Sequence, residues 1–348
     1  MVNNLKPTIS NINYYLPKVD YSNDKIIKKP KNIKKIIKKI GINKKFAAEK
    51  NEFASDLAIK SISKLFYKNP SLKKEIDFLI YCTQSPDYFL PSGSSIIQNK
   101  IFPNRYIGSM DINLGCSGFV YSLSVAKGLL ATGEAKKVLI VTSETYSKFI
   151  SEDDTSVRSI FGDASSAVIV ENMKTINNNI FQFDQGTDGS GKYDLIVPGS
   201  GLKKFSQTKI KNQLLQFSSK LKNNKLHMNG PSMFSFALEA VPHTINKVLK
   251  KNEINIEDID IFILHQANKY MLSTIRDKMN INSKKFYIDL SNKGNTTSST
   301  IPIALFDAIK KKIVKKNMKV LICGFGVGYS WATTIINIHK KLIESILE

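Results

Sequence analysis

Cysteine is scarce in this chain, with three among 348 residues. That scarcity excludes a disulfide-built scaffold, and Cys82, Cys116 and Cys323 are not spaced as metal ligands. Arginine is scarce too: only Arg105, Arg158 and Arg276 stand among 51 basic residues. Readers of nucleic acid lean on arginine for bidentate contacts, so its scarcity argues against a nucleic-acid partner. Long apolar runs are also missing. The most apolar stretch, 320–338, holds three glycines, Asn337 and several hydroxyls, and so reads as strand, loop and strand instead of a membrane span. The opening MVNNLKPTIS has no continuous apolar core of a secretory signal. The expectation is a cytoplasmic protein with no membrane association.

Hydrophobic residues make up 42% and charged residues 23%, the balance of a globular chain with a large core. The formal net charge of +22 is carried by lysines that travel with many asparagines. A solvated lysine-rich surface accounts for this, and an acidic partner is the sharper alternative. The densest run, 25–45, places Ile33, Ile36, Ile37 and Ile40 at helical spacing, with Pro30 near the start and Gly41 just past the end. It reads as a short amphipathic helix lying on the body of the protein.

An internal repeat is more informative. IDFLIYCTQSPD (76–87) resembles IDIFILHQANKY (259–270). MDINLGCSGFVYSLSVAKGLL (110–130) resembles YIDLSNKGNTTSSTIPIALFDAI (287–309), and KKVLIVTSETYS (136–147) resembles MKVLICGFGVGYS (318–330). The three matches keep their order, with about 180 residues between partners. They argue for a duplicated α/β chain with halves at 1–172 and 173–348. Helices are expected at 55–66 and 232–250. Continuous apolar strands imply sheets covered on both faces, stacked as a five-layer α-β-α-β-α sandwich. The polar stretch 173–229 breaks the alternation and reads as inserted strands and loops.

Functional residues in such folds gather at the carboxyl ends of strands. The repeat brings four loops there, carrying Cys116, His265, Asn295 and the glycine loop Gly324–Gly328. Cys116 precedes a helix whose N-terminal dipole favours a thiolate; a buried cysteine is also ordinary packing, as expected for Cys82 and Cys323. His265 ends an apolar strand, and Asn295 occupies the repeat position of Cys116. A neutral imidazole and a carboxamide are both hydrogen-bond donors suited to an enolate oxygen on a thioester. No carboxylate joins them in the pattern of a hydrolase triad.

The ordered set GINKKFAA, TQSPDYFLPS, DINLGCSGFVYSL, IFGDASSAVIV, HQAN, KGNTTSSTIP and GFGVGYSW resembles the 3-oxoacyl-[acyl-carrier-protein] synthase III family, ketoacyl synthases of the thiolase superfamily. The resemblance spans nearly the whole chain and implies the duplicated five-layer fold. It implies a decarboxylating Claisen condensation through acyl-Cys116, with malonyl-acyl carrier protein as extender. His265 and Asn295 would serve the decarboxylation, and the amides of Cys116 and Val327 would bind the tetrahedral oxyanion. It further implies acyl-CoA or acyl-carrier-protein donors, no metal or other cofactor, and a homodimer in which Leu90 reaches the partner's acyl pocket. An acyl transfer to an alcohol or amine without decarboxylation is the alternative. The sequence departs from the family where a Trp and an Arg clamp the adenine of coenzyme A. Trp331, the one tryptophan, lies far from that segment, Thr155 stands at the Arg position and Arg158 lies nearby. These departures point toward a carrier-bound or unusual acyl donor. Where the family places an arginine for carrier docking, this chain has Tyr270, with Lys269 beside it to substitute.

Overall fold

The computed structural model describes residues 5–23, 35, 37–176, 178–202 and 224–348. Two sheets form its frame. The first contains β1 (Leu5–Tyr15), β4 (Phe78–Cys82), β5 (Gly108–Ile112), β6 (Lys137–Glu144) and β7 (Ala164–Lys174), in the order β1-β7-β6-β4-β5. Between β1 and β4, β2 (Val19–Asp20) and β3 (Phe46–Ala47) make a small separate pair. The second sheet contains β8 (Asp184–Thr187), β11 (Ile261–Leu264), β12 (Lys319–Gly326) and β13 (Ser330–Asn337), in the order β11-β12-β13-β8. A second small pair joins β9 (Leu195–Ile196) to β10 (His227–Met228).

The duplication is visible in strand direction. In the first sheet β5, β4 and β6 run parallel, followed by antiparallel β7 and β1. In the second, Phe286 bridges β11 in parallel, β11 runs parallel to β12, and antiparallel β13 and β8 follow. The first sheet draws its strands from residues up to Lys174 and the second from Asp184 onward.

Seven helices of eight residues or more fill the layers among the described residues. They are α1 (Ala54–Tyr67), α2 (Gly93–Ile101), α3 (Gly118–Thr132), α4 (Gly230–Lys251), α5 (Lys269–Lys278), α6 (Thr300–Lys310) and α7 (Lys340–Leu347). The sequence expectations at 55–66 and 232–250 match α1 and α4. Helices α3 and α6 lie between the sheets, where Phe119, Leu123, Ile301 and Leu305 meet Ile80 and Ile140 of one sheet and Ile263 and Ile322 of the other. The alternate residues Leu79 and Leu139 point the opposite way, onto Ile62 of α1 and Ile97 of α2. On the far side Val241 of α4 and Leu272 of α5 cover Phe262 and Leu321. Period-two alternation therefore buries both faces of β4, β6, β11 and β12, which is why these strands read as unbroken apolar runs. Each such side chain removed from water contributes about 1.5–3 kcal/mol.

Two sequence expectations need adjustment. The stretch 173–229 is more than a surface insertion: β8 pairs with β13, and Ile180 bridges Ile336, so this segment completes the second sheet. Its pairing is with a strand about 150 residues away, which no local pattern reports. The lysine-rich helix lies mainly outside the described residues, including Pro30, Ile33 and Ile36. Residues 37–40 are helical, Ile40 packs against the outer core of the second sheet, and the Gly41 N–H bonds to the Ile37 carbonyl at 2.7 Å. Gly41 ends the helix at φ +72°, with the side chain of Lys269 pressed on its open face.

The arginines serve the protein itself. Arg105 binds the carbonyls of Lys73 and Ile76, Arg158 binds the Tyr21 hydroxyl and the Glu152 carbonyl, and Arg276 pairs with Asp277. Among the described residues no helix is long and apolar enough to cross a membrane.

Candidate active site

The sheet ends deliver Cys116, His265 and Asn295 to one cavity of about 150 Å³, whose walls are largely apolar. Cys116 sits in the turn between β5 and α3, closed by the Gly118 N–H bonding to the Gly115 carbonyl at 2.7 Å. β12 passes directly over it. A Cβ built on Gly326 would stand 2.6 Å from the Cys116 Cβ and 2.9 Å from its Sγ, so only glycine lets the strand come this close. Ser117 is tied to Ser330, the first residue of β13, through a buried hydroxyl pair at 2.7 Å.

The thiol differs from the helix-dipole expectation. Burial, followed by the Glu144 carboxyl, pushes Cys116 up to about 12, while its own backbone N–H acts the other way. Only 5% of the residue is exposed. Desolvation disfavours the thiolate more than a helix end favours it, so the resting group is a neutral thiol. Cys82 and Cys323 are fully buried core residues, as expected.

His265 follows β11, with its N–H bonded to the Cys323 carbonyl at 2.8 Å. Its ring stands edge-on to Phe325, centroids 5.5 Å apart. Burial lowers it to about 3, and a hydrogen bond with the Thr297 backbone opposes this only in part, so the imidazole is neutral. Nδ1 lies 2.7 Å from the Thr300 hydroxyl. Nε2 lies 3.5 Å from Asn295 Nδ2. The Asn295 backbone is clamped between the Ile160 carbonyl and the Gly162 N–H, both at 3.0 Å. Its side-chain Oδ1 accepts from the Thr297 N–H at 2.9 Å, which fixes the amide orientation and leaves Nδ2 toward the histidine.

The other sequence candidates lie around this centre. The glycine loop is shorter than expected, since Gly324–Gly326 belong to β12; Val327 lies in the turn beyond, where its carbonyl accepts from Ser330 Oγ at 3.1 Å. Leu90 is 87% exposed and lies outside the cavity of its own chain. Lys269, the first residue of α5, lies against Gly41 and lines a separate lysine-rich cavity of about 1080 Å³. Tyr270 lines the cavity holding Cys116, with one face stacked on Phe234 at 5.3 Å and the Lys39 ammonium 4.2 Å from its ring.

Relatives bear on what this site does. A model of the 3-oxoacyl-[acyl-carrier-protein] synthase III family matches residues 110–189, and that of its C-terminal part matches 249–338. The beta-ketoacyl-[acyl-carrier-protein] synthase III of Clostridium tetani is 35% identical over 330 residues, covering 95% of each chain. The chain belongs to the 3-oxoacyl-[acyl-carrier-protein] synthase III family. A crystal structure of a 3-oxoacyl-(acyl-carrier-protein) synthase III superposes with TM-score 0.89 at 36% identity, covering 96% of this chain and 100% of that one. The synthase from Burkholderia xenovorans LB400 gives TM-score 0.90 at 29% identity, covering 99% and 96%. The fold is accordingly the five-layer thiolase type.

In this synthase III chain the sequence reading missed several residues at the site. Thr300 was hidden in a run of hydroxyls, and Phe325 between two glycines. Glu144 ends an apolar strand and reads as the start of a turn. Gln84 sits in a polar loop with no periodicity. The one available signal was that Glu144 is the single acid in the apolar-to-polar transition of VLIVTSETYS.

Proposed function

We propose that the chain catalyses condensation of an acyl primer with malonyl-acyl carrier protein, releasing carbon dioxide and a 3-oxoacyl carrier protein. The observation that carries this reading is the convergence of one thiol and two neutral hydrogen-bond donors on one apolar cavity. The Cys116 sulfur attacks the primer thioester, forming a new S–C bond, and the carrier thiol leaves with the proton. The amides of Cys116 and Val327 are the donors to the tetrahedral oxyanion. Malonyl thioester then enters beside His265 and Asn295. Its carbon–carboxylate bond breaks, and the electron pair passes into an enolate whose oxygen accepts from His265 Nε2 and Asn295 Nδ2. This step needs the ring proton on Nε2, with the bare Nδ1 beside the Thr300 hydroxyl at 2.7 Å. The enolate carbon attacks the acyl-Cys carbonyl, and the cysteine sulfur departs and recovers a proton.

The thioester substrates supply all the chemistry, so no metal or further cofactor takes part. The acyl carrier protein docks beside Lys269, coenzyme A or carrier protein delivers the primer, and the enzyme works in the cytoplasm as a homodimer with Leu90 in its partner's acyl pocket. Transfer to an alcohol or amine would need only the thiol and the oxyanion amides. The presence of both His265 and Asn295 favours decarboxylation. Incubation with malonyl-carrier protein and an acyl donor tests this: carbon dioxide released in step with 3-oxoacyl product is expected, and acyl transfer without carbon dioxide would overturn it.

A further inference from the structure

Glu144 is a buried carboxyl for which the condensation has no use. It ends β6 and is fully buried. Its Oε2 accepts from Ser85 Oγ at 2.8 Å, and its Oε1 from Ser298 Oγ at 3.1 Å. The Gln84 N–H lies 3.2 Å from both oxygens, and Thr83 Oγ1 lies 3.4 Å from Oε2. These donors come from two loops on different halves of the chain. Ser298 belongs to the turn that also carries Thr297, whose N–H orients Asn295. The Gln84 side chain and the Thr297 methyl both close over Gly115, the residue before the nucleophile. Gln84 Oε1 also accepts from the Tyr146 hydroxyl at 2.8 Å.

We propose that Glu144 is a positioning residue: its carboxyl pins the Thr83–Ser85 loop and the Asn295–Ser299 turn to the end of β6 around Cys116, and its charge sets the pH at which the thiol reacts. A carboxylate in this place accepts four neutral donors and repels a thiolate. A protonated one gives its proton to a serine hydroxyl and leaves the thiol less opposed. Burial pushes Glu144 up to about 8 against those hydrogen bonds, so both forms are populated near neutral pH. The titratable groups that feel it are Cys116, Cys82 and Tyr81 of β4, and Tyr146, each pushed upward by burial first and by Glu144 in addition. His265, which shares the cavity with Cys116, is neutral.

The inference rests on Cys116 being the reactive thiol, and the test separates the two. The full chain is alkylated with iodoacetamide across a pH series, and the rate at Cys116 is read by peptide mass. For Glu144→Gln, removal of the negative charge is expected to move the midpoint down by about one pH unit, the scale of a single nearby charge. Glu144→Asp, which keeps the charge, is expected to stay near wild type. Ser298→Ala removes a donor to the carboxylate and keeps Glu144 protonated to higher pH, so it is expected to speed labelling of Cys116 near pH 8, where Glu144 titrates, and to leave the midpoint near wild type. It decides the matter if Glu144→Gln fails to fold. A purely structural role predicts altered thermal stability with an unmoved midpoint in Glu144→Gln and an unchanged labelling rate near pH 8 in Ser298→Ala, and either result in the folded variant overturns the proposal. Absence of labelling at Cys116 in the wild type would overturn the nucleophile assignment itself, and this inference with it.

Discussion

Replacing Asn295 separates the two chemical steps. Its Nδ2 is free to donate because Oδ1 is already held by the Thr297 N–H at 2.9 Å. Losing one donor to a developing oxyanion costs roughly 10²–10³ in rate, about 2.7–4 kcal/mol. Asn295→Ala should therefore slow malonyl decarboxylation by at least about 10²-fold while leaving acylation of Cys116 near wild type. Alanine also leaves the Thr297 N–H unpaired, which costs about 1–3 kcal/mol of stability. That loss is within the usual margin of a folded domain, about 5–15 kcal/mol. Asn295→Asp is the sharper probe. It keeps the bond to Thr297 but puts an acceptor where the enolate needs a donor, so decarboxylation should fall at least as far with less loss of stability. His265→Ala should behave like Asn295→Ala. Because burial holds His265 at about 3, its neutral form persists as pH falls from about 8 to 5, and decarboxylation per acyl-enzyme should show no titration of an ordinary histidine in that window. Carbon dioxide release from malonyl-carrier protein and intact-protein mass read the two steps independently. Equal losses in acylation and decarboxylation, or an unchanged decarboxylation rate, would refute the assigned roles.

Three other perturbations probe different parts of the molecule. Gly326→Ala sets a methyl 2.9 Å from the Cys116 sulfur and must displace β12 or the Cys116 side chain, so acylation should drop by roughly 10²-fold, as for a misplacement of about 1 Å; near-normal acylation by stopped-flow would show that the close approach is dispensable. Lys45 is fully buried with its ammonium 2.5 Å from Asn23 Oδ1, and burial lowers it from 10.5 to about 7. The unfolded chain holds this proton where the folded one has lost it, so Lys45 contributes a gain in stability as pH rises from about 7 toward 10.5. Urea midpoints of Lys45→Met should lack that part of the slope, and identical slopes would contradict the argument. Binding of acyl carrier protein should weaken steeply with added salt if Lys269 and its neighbours dock it, and Lys269→Glu should weaken binding further; a flat salt response would return the net charge of +22 to surface solvation.

The sequence revealed the frame because duplication left three ordered matches, and because doubly buried strands such as VLIV advertise themselves. Asn295 was legible only through that repeat, since asparagine beside glycine is otherwise turn chemistry. What stayed hidden depends on contacts between distant segments. β8 joins the second sheet through a partner far along the chain. Thr300 matters because its hydroxyl meets the His265 ring, and Glu144 because loops from both halves close on it. The helix start after Cys116 was readable, but the burial that outweighs its dipole was not. Both arise only when the halves are stacked.

Whether Cys116 carries the acyl group is read by intact-protein mass after incubation with a panel of acyl-CoAs and acyl carrier proteins. An acyl adduct is expected in the wild type and missing from Cys116→Ala, with the panel naming the primer and its carrier. An adduct that persists in Cys116→Ala would contradict it.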